Sequence, residues 1–378
     1  MADLPNITMS LTVNVTEGNF TSPPASSVAP AAVELHSYGV LVFIACWWIL
    51  VAVLGIAGNF MVILSAVLSE SVRTMTNVLV VNLSVADLWT SLSLPWTVIA
   101  LIGNGTWPLR TVVPCQIAAF MWHTGLGASL YILALISVNR LVRITRPAIY
   151  RRIFTPCSMV GIVFISWAIP FTVILLPLAL GIGSLGHDLK FNTCTDDDLH
   201  EEAAKYNLAQ TIGFYPIPMV TVLISYIIIY IHIRRHFKRQ IEQKKSNSAT
   251  LSADPIEASG TSVASMSVSG SDGTMVEKRK VSRHQLQITK NLFLTCCAFM
   301  LLISPYFIYL FIPNANDAFA LYGATILICN SCVNPIIYAA KHPQFKKVLR
   351  PMLRCRWSEI PEPSKTLRYL RKKMNQNA

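Results

Sequence analysis

The sequence predicts an all-α membrane protein, a bundle of seven transmembrane helices followed by a short amphipathic helix on the cytoplasmic side. Three observations predict it. The 378 residues are 53% hydrophobic and only 13% charged, which is unusual for a soluble protein. The apolar residues are gathered into seven blocks, each long enough to cross a hydrocarbon core of ~30 Å at ~1.5 Å per residue. The basic residues flank these blocks.

The seven blocks are expected to be helices, because backbone polar groups in lipid find partners only within the segment itself. The predicted spans are 39–68, 76–102, 113–138, 158–182, 207–233, 291–312 and 319–340. An odd number of spans places the two termini on opposite sides of the membrane.

Lysine and arginine indicate the orientation of the bundle. All but three of the 31 lie in or beside one set of loops and the C-terminal tail; the exceptions are Arg110, Lys190 and Lys205. The positive-inside rule therefore places the N-terminus outside and the C-terminus in the cytoplasm of a multi-pass plasma-membrane protein. The net charge of +12 is a topology signal, and nucleic acid is not an expected partner.

Residues 1–38 are predicted to be a disordered extracellular tail, since they are rich in Ser, Thr, Pro and Asn. Four glycosylation sequons lie on the outer side, at Asn6, Asn14, Asn19 and Asn104. Asn82 also begins a sequon, but it lies inside a span, where no oligosaccharide can be attached. No apolar signal-peptide core precedes the first span, which is therefore expected to act as the insertion signal.

Two of the nine cysteines differ from the rest by their position. Cys115 lies at the outer end of span three and Cys194 in the loop between spans four and five, both on the oxidising side. A disulfide between them would tie that loop over the mouth of the bundle. Two free outer thiols are the alternative.

The cytoplasmic segments have two distinct compositions. Residues 238–284 hold a serine-rich, low-complexity stretch and are predicted to be a disordered third loop and a phosphorylation target. Residues 341–378 are predicted to contain an amphipathic helix and a tail. The helix alternates apolar and basic residues, which suits the anionic inner leaflet and makes membrane lipids an expected partner. Cys355 at its end is a palmitoylation site or an inert thiol.

Polar, aromatic and proline residues form a pattern within the spans. A single polar residue could be a simple helix–helix hydrogen bond, whereas charges and amides within a bilayer are rare and tend to be functional. The pattern consists of Asn59, Asp87, Asn139, Arg140, Trp167, Pro218, Tyr226, Phe299, Pro305, Asn330, Ser331, Asn334, Pro335 and Tyr338.

This combination resembles the rhodopsin-like (class A) G-protein-coupled receptors over about residues 39–354. The shared features are GN in span one, LSVAD in span two, a cysteine 25 residues before an arginine in span three, a tryptophan in span four, a proline eight residues before a tyrosine in span five, and NPxxY in span seven. The resemblance implies that an extracellular ligand shifts a two-state bundle, that span six moves outward, and that a heterotrimeric G protein binds the opened inner cavity. Arrestin and receptor kinases are further implied partners.

The resemblance implies a coupling and activation switch made of Asn139, Arg140, Leu141, Tyr226, Asn334, Pro335 and Tyr338. The triplet of span three is Asn-Arg-Leu instead of Asp-Arg-Tyr, and the inner end of span six, SRHQLQITKNL, contains no acid. The usual ionic lock of Arg140 therefore cannot form, and signalling without ligand is expected. In having an Asn before this Arg, the sequence resembles melatonin receptors and the insect Moody and Trapped-in-endoderm receptors.

Two further sets of residues are implied by the family. Phe299 and Pro305 would form the hinge of span six, but Ile303 stands where the family has a tryptophan, so the trigger for movement must differ. An allosteric sodium ion, the one cofactor expected, would be held by Asn59, Asp87, Asn330, Ser331 and Asn334. A purely structural hydrogen-bonded network is the alternative.

The predicted ligand pocket is aromatic, with a few neutral hydrogen-bonding groups. Trp122 replaces the Asp that receptors for amines use, and Ile328 replaces the retinal-binding Lys of opsins. The side chains expected to face the cavity are Trp96, Trp122, His123, Gln210, Thr211, Tyr306 and Tyr309. They fit a small, largely apolar or neutral ligand, indole-like or lipid-like. The acidic outer loop, TCTDDDLHEE, leaves a basic peptide as an alternative.

The other functional classes have less support. An orphan heptahelical protein with constitutive or scaffolding activity is the alternative to a ligand-driven receptor. A transporter would need inverted repeats or broken spans at matching positions, which the sequence lacks. An enzyme would need a catalytic cluster, and His123 and His232 are isolated, so neither a catalytic nor a metal site is expected.

Overall fold

A computed structural model describes residues 37–103, 105–251, 271–312 and 317–376. Within these residues seven helical segments are long and apolar enough to cross a membrane: Tyr38–Leu68, Met75–Ile102, Val113–Thr145, Pro156–Ala179, Ala203–His236, Ile288–Tyr309 and Phe319–Lys341. The predicted bundle of seven transmembrane helices is thereby confirmed. The four predicted glycosylation sites lie outside the described residues.

The order of elements along the chain is simple. The helices are α1 (Tyr38–Leu68), α2 (Met75–Ile102), α3 (Val113–Thr145), α4 (Pro147–Ile153), α5 (Pro156–Ala179), α6 (Ala203–Phe214), α7 (Pro216–Leu251), α8 (Ser271–Phe311), α9 (Asp317–Leu327), α10 (Asn330–Lys341), α11 (Pro343–Leu353) and α12 (Lys365–Gln376), and the strands are β1 (Leu185–Asp188) and β2 (Thr193–Asp196). Span five consists of α6 and the start of α7, and span seven consists of α9 and α10. The break in span five falls at Pro216, whose ring and missing N–H disfavour a continuous helix.

Helix α3 is the centre of the bundle and packs against α2, α5 and α7. Small residues allow this close packing. A Cβ atom added to Gly125 would lie 2.1 Å from Oγ1 of Thr90 on α2, and one added to Gly127 would lie 2.7 Å from the ring of Phe214. Glycine is therefore required where α3 meets its neighbours, as is common for helices packed within lipid.

The outward faces of the spans are apolar. On α5, for example, Val160 and Phe164 are 71% and 72% exposed. Soluble proteins rarely leave large apolar patches in water, whereas hydrocarbon chains are a suitable environment for them. The surface of the bundle thus agrees with a transmembrane location.

Asn82, which lies inside span two, joins α2 to α5. Nε1 of Trp167 donates a hydrogen bond to Oδ1 of Asn82 at 3.0 Å, and Nδ2 of Asn82 donates to Oγ of Ser166 at 3.1 Å. Both polar ends of the amide are therefore used between the two helices. The span-four tryptophan has a structural role in the bundle.

The segment predicted as a disordered third loop, 238–284, is helical at both ends. Helix α7 continues to Leu251 and α8 begins at Ser271, while residues 252–270 lie outside the described part. The basic stretch after span five contains good helix formers, and Lys238 lies 3.9 Å from Glu242 one turn later. Charge pairs at this spacing support a helix that leaves the bilayer.

The C-terminal region contains the predicted amphipathic helix and a second helix that was not predicted. Helix α11 buries Phe345, Val348, Leu349 and Met352. Helix α12 is attached to the inner end of α1: the N–H of Ser364 donates to the carbonyl of Leu68, and an isolated β-bridge pairs Ser69 with Pro363. The prolines before α12 obscured it in the sequence, since they indicate a loop.

Candidate functional site

The outer end of the bundle is covered by the β1–β2 hairpin. The strands pair antiparallel, with His187 opposite Cys194. The expected disulfide joins Cys194 to Cys115 in the first turn of α3. The hairpin is therefore covalently attached above the helix that forms the centre of the bundle.

An ion pair fastens the hairpin a second time. Nε2 of His123 on α3 lies 2.7 Å from Oδ1 of Asp196 and 3.1 Å from Oγ1 of Thr195. Burial of Asp196 favours its neutral form, but the charge and hydrogen bond of His123 outweigh burial and lower the pKa of Asp196 below its ordinary value. His123 thus binds the hairpin rather than facing the cavity.

Beneath the hairpin lies a cavity of about 70 Å³ between α1, α2, α3, α8 and α9. Three of the predicted pocket residues line it: Trp122, Tyr306 and Tyr309. The remaining lining residues are Trp48, Leu94, Thr97, Phe191, Thr193, Cys194, Thr195, Ala320, Leu321 and Ala324. The lining is largely aromatic and aliphatic, with threonine hydroxyls as neutral polar groups.

The structure corrects the other four predicted pocket residues. Trp96 is 38% exposed, because Leu94 and Thr97 occupy the inner face of α2 and one residue along a helix turns by about 100°. His123 is turned in the same way from Trp122 toward β2. Gln210 is buried on α6, where its Nε2 has no hydrogen-bond partner in the part of the chain that the structure describes, and neither it nor Thr211 lines the cavity.

Sequence reasoning missed the contributions of α1 and of the hairpin. Nε1 of Trp48 donates to Oγ1 of Thr325 at 3.1 Å, which holds the indole at the cavity wall. Thr193 and Thr195 flank the disulfide cysteine, and residues two apart in a strand share a face. That alternation was the signal in the sequence that could have identified both threonines.

A buried polar cluster lies in the middle of the bundle around Asp87. Oδ2 of Asp87 accepts from Nδ2 of Asn334 at 2.7 Å, and Oδ1 accepts from Oγ of Ser129 at 3.0 Å. Nδ2 of Asn59 donates to the carbonyl of Ser331 at 2.7 Å. The predicted network residues therefore lie together, and α1, α2, α3 and α10 all contribute to the cluster.

A small cavity of about 10 Å³ adjoins this cluster, and Asp87, Ser129, Asn330 and Ser331 contribute to its lining. Among the described residues the buried Nδ2 of Asn330 has no hydrogen-bond partner. The volume is sufficient for one water-sized species. Trp122 lines both this cavity and the outer one, so its side chain contacts both.

At the inner end of α3, Asn139 and Arg140 are almost completely buried. Oδ1 of Asn139 accepts from Oγ1 of Thr76 at 3.1 Å, and Arg143 donates to the same hydroxyl at 3.1 Å. Among the described residues Arg140 makes no ion pair with a carboxylate, and its Nε has no hydrogen-bond partner. Arg140 is therefore a buried cation without a carboxylate partner in the described part of the chain, and the hydrogen-bonded cluster beside it includes a second cation, Arg143.

Span six is held to its neighbours near this arginine by neutral contacts. The hydroxyl of Tyr226 lies 3.5 Å from Sγ of Cys296. Nδ2 of Asn291 donates to the carbonyl of Lys341, the last residue of α10, at 2.6 Å. Asn291 was not among the predicted site residues, since a backbone acceptor leaves no trace in the sequence of the partner segment.

The remaining predicted switch and hinge residues lie in three places. Phe299 is buried in α8 beside the small cavity, and Pro305 lies within the same helix, which continues through it. Leu141 is partly buried at the inner end of α3. Pro335 and Tyr338 are buried in α10, and the Tyr338 ring stacks on Phe345 of α11. Cys355 is exposed just after α11.

The acidic outer loop uses most of its carboxylates internally. Asp188 accepts hydrogen bonds from the N–H groups of Lys190 and Phe191 in the hairpin turn, and burial nevertheless raises its pKa to about 7. Asp197 accepts from the Ser184 hydroxyl, and Asp198 accepts from Nδ2 of Asn207. These carboxylates stabilise the loop itself.

Comparison with known proteins identifies the family. Residues 58–338 match the family described as 7 transmembrane receptor (rhodopsin family), which is more than half of the chain. The chain therefore belongs to the rhodopsin-like, class A family, whose members are receptors and not enzymes. As a member of this family it is a multi-pass protein of the plasma membrane.

Individual relatives are similar at a lower level. The G-protein coupled receptor moody of Drosophila melanogaster is 24% identical over 373 residues, which cover 89% of this chain and 55% of that protein. The alpha-1A adrenergic receptor of Mus musculus is 28% identical, covering 91% of this chain and 73% of that one. The melatonin receptor type 1A of Phodopus sungorus is 29% identical over 46% of this chain and 48% of that one. The chain spans about half the length of the moody receptors that it matches.

The fold also matches a solved structure. The crystal structure of squid rhodopsin superposes with a TM-score of 0.69 at 17% identity and covers 85% of this chain and 87% of that one. At this identity the likeness concerns the fold alone. It agrees with the seven spans found here.

Proposed function

We propose that the protein is a receptor that passes an extracellular signal to heterotrimeric G proteins by movement of α8. The observation that carries this proposal is the inner end of α3, where Arg140 is buried without a carboxylate partner in the described residues. A buried guanidinium is unfavourable unless it is paired. Outward movement of α8 would expose it to a partner with carbonyl or carboxylate acceptors, which it can bind.

The proposal places the N-terminus outside and the C-terminus in the cytoplasm. The basic clusters beside α7, α8 and α11 support this orientation through the positive-inside rule. The same orientation is compatible with glycosylation of the outer sequons, palmitoylation of Cys355, and binding of receptor kinases and arrestin, which are proposed with it.

The ligand of this receptor is proposed to be small and largely apolar or neutral. The outer cavity is narrow and largely apolar, and the hairpin above it is fastened by a disulfide and an ion pair. Its volume of about 70 Å³ is below the ~300–1,000 Å³ of usual ligand pockets, so binding would require side chains or the hairpin to move. Trp122 occupies the place of the aspartate in amine receptors, which argues against an amine even though an adrenergic receptor is among the relatives.

A basic peptide is the second candidate for the ligand, and the structure makes it less favourable. Asp196 is paired with His123, Asp197 accepts a hydrogen bond from Ser184 within the loop, and Asp198 accepts one from Asn207 of α6. Carboxylates engaged in this way offer less to a cationic partner than the sequence of the loop indicates.

Trp122 is proposed to carry the signal from the ligand to the polar cluster. It lines the outer cavity and the small cavity beside Asp87, while Ile303 fills the position of the family's span-six tryptophan and is fully buried. A ligand that displaces the indole would change the packing of Phe299, which borders the same small cavity. Phe299 lies on α8, the helix that is proposed to move.

A sodium ion fits the polar cluster and is proposed as an allosteric cation. Asp87 and Ser129 supply carboxylate and hydroxyl oxygens, the kind of ligand that hard cations take. The Nδ2 of Asn330 has no hydrogen-bond partner within the described ranges, and this amide presents its oxygen when it is turned over. These residues would hold the ion and bias the bundle toward rest. Sodium should lower basal signalling, and Asp87→Asn should remove that effect.

The decisive variant for G-protein coupling is Arg140→Ala. Nucleotide exchange on co-expressed G proteins should fall to the level of mock membranes, with Arg354→Ala, at the cytoplasmic end of α11, as the matched control that retains exchange. Surface expression is measured for both variants. Full exchange by Arg140→Ala at normal surface levels would remove Arg140 from the mechanism.

The two outer tryptophans give a matched test of the ligand pathway. Trp122→Ala should abolish the response to any active ligand from a panel of indoles and lipids. Trp96 lies on the exposed face of α2, away from the cavity, so Trp96→Ala should leave that response unchanged. Equal losses in the two variants would contradict the proposed role of Trp122.

A further inference from the structure

A second and much larger cavity lies on the membrane-facing side of the bundle, between the inner halves of α7 and α8. Its volume is about 830 Å³. It is lined by Val222, Leu223, Tyr226, Ile227, Ile229, Tyr230, Ile233, Thr289, Lys290, Phe293, Cys296, Cys297, Met300 and Leu301. The groove shares Val222, Cys296 and Met300 with a small interior cavity, and its Tyr226 is one of the predicted switch residues. The roles proposed above for Arg140 and Trp122 do not depend on a molecule bound in it.

The groove has the length of one leaflet. From Lys290 to Leu301 helix α8 rises about 16 Å at ~1.5 Å per residue, about half of a hydrocarbon core of ~30 Å. The rim is formed by side chains that face the lipid: Leu223 is 53% exposed, Ile227 56% and Leu301 72%. An apolar groove at this depth would be filled by hydrocarbon and not by water.

The cytoplasmic mouth of the groove is basic. Lys290 lines the mouth and is exposed. Arg234 is exposed four residues after Tyr230, a lining residue, and residues four apart lie on one face of a helix. No aspartate or glutamate occurs in residues 216–241 or 288–311. The mouth therefore offers two cations to a headgroup at the membrane surface.

We propose that this groove is a binding site for an anionic glycerophospholipid of the inner leaflet. One acyl chain would lie along the apolar walls formed by Ile227, Phe293 and Cys297, and the headgroup phosphate would contact Lys290 and Arg234. Long basic side chains reach headgroups in this way while their stems stay on apolar surface, and the inner leaflet carries the anionic lipids. The inference uses the orientation of the proposed receptor, but binding itself does not depend on coupling to a G protein.

The test uses the purified full chain in phosphatidylcholine nanodiscs with a trace of a lipid that carries a diazirine on its acyl chain. Photoactivated phosphatidylserine should label residues of the groove walls, located by mass spectrometry, more strongly than photoactivated phosphatidylcholine. Lys290→Gln should lower phosphatidylserine labelling of the walls roughly fivefold. The attraction of one basic side chain to an anionic membrane surface corresponds to about this change in affinity. Lys341→Gln, an exposed lysine at the inner end of α10 outside the groove lining, should leave it unchanged.

Three results would overturn the proposal. Equal labelling by the two lipids would mean that the groove holds bulk lipid without selection. If Lys290→Gln leaves labelling by phosphatidylserine unchanged, the headgroup does not bind at the cytoplasmic mouth of the groove. Displacement of the label by unlabelled cholesterol but not by unlabelled phosphatidylserine would assign the groove to a sterol. Normal G-protein exchange in any of these cases would leave the proposed function intact.

Discussion

At the residue scale, we propose that the resting bundle is weakly held because Arg140 has no carboxylate partner among the described residues. Asn139 accepts from Thr76 and supplies no charge to its neighbour. A hydrogen bond to a charged group contributes about 1.5–3 kcal/mol, whereas a neutral one contributes about 1 kcal/mol. The resting state should therefore be less stable relative to the active state than in receptors with Asp-Arg-Tyr. Some signalling without ligand is expected.

Asn139→Asp tests this expectation. The introduced carboxylate can pair with Arg140, so basal nucleotide exchange should fall roughly fivefold for about 1 kcal/mol of added bias. Asn139→Ser, which is polar and uncharged, should not lower it. Exchange is measured in membranes with receptor density matched. An Asn139→Asp variant more active than the parent would contradict the reasoning.

Single residues also mark the limit of what the sequence could predict. The sequence placed Arg140, Asp87 and Asn334 because their types and spacing are distinctive within apolar spans. It could not distinguish Trp122 from Trp96, because a difference of about 100° in helix rotation decides which indole faces the cavity. It could not identify Asn291 either, since the acceptor is a backbone carbonyl that every residue possesses.

At the element scale, we propose that the contact of Asn291 with α10 restrains α8 in place of an ion pair. Its Nδ2 donates to the Lys341 carbonyl at the C-terminal end of α10. Carbonyls at a helix end lack intrahelical donors, so this acceptor is available to a side chain from α8. Outward movement of α8 would have to break the bond, which therefore favours the resting position.

Asn291→Ala should raise basal exchange roughly fivefold, since a neutral hydrogen bond contributes about 1 kcal/mol. Ser304→Ala is the matched control on the same helix, because the Ser304 hydroxyl donates to the carbonyl of Leu301 within α8. Nucleotide exchange at equal receptor density is the measurement. Unchanged exchange in Asn291→Ala would show that this contact does not restrain α8.

The hairpin is the second element with a testable property, its dependence on pH. Burial raises the pKa of Asp188 from 3.8 to about 7, so the folded hairpin binds this proton more tightly than the unfolded chain. The contribution of protonated Asp188 to the stability of the hairpin is complete below about pH 4 and is lost as the pH rises to about 7. The lowered pKa of Asp196 acts only at lower pH.

Amide hydrogen exchange of residues 185–196 should therefore show less protection at pH 7.5 than at pH 5.5, after correction for intrinsic rates. In the Asp188→Asn variant, the amides of the same residues should show more similar protection at the two pH values. Burial lowers the pKa of His187 and opposes this trend, but His187 is present in both proteins, so the comparison isolates Asp188. A parent and variant with the same pH dependence would contradict the assignment.

Elements were predicted better than their ends. The seven spans followed from apolar length, because lipid allows few other structures. The extensions of α7 and α8 into the third loop could not be predicted in this way, because hydropathy does not indicate a helix once it leaves the membrane. Helix α12 was missed for a related reason: Leu367 is its one deeply buried apolar residue among those described, and its docking depends on backbone contacts with α1.

At the scale of the whole molecule, the disulfide connects the outer loop to the central helix. The bonded cysteines are 79 residues apart, and a bond that closes a loop of this size contributes about 2–4 kcal/mol to folding. Cys115→Ser should therefore reduce surface expression and the response to ligand. Cys157→Ser, an exposed free cysteine on α5, is the control. Normal surface expression of Cys115→Ser would show that the hairpin is held well enough by the His123–Asp196 pair.

Coupling to G proteins can be measured directly as nucleotide exchange on purified heterotrimeric G proteins by the purified full chain in nanodiscs. We expect exchange above empty nanodiscs without ligand, because Arg140 is not restrained by a carboxylate among the described residues. A small neutral or apolar ligand from the panel should raise the exchange further. No exchange above empty nanodiscs for any G protein, with or without the panel, would contradict the claim that this bundle is a G-protein-coupled receptor.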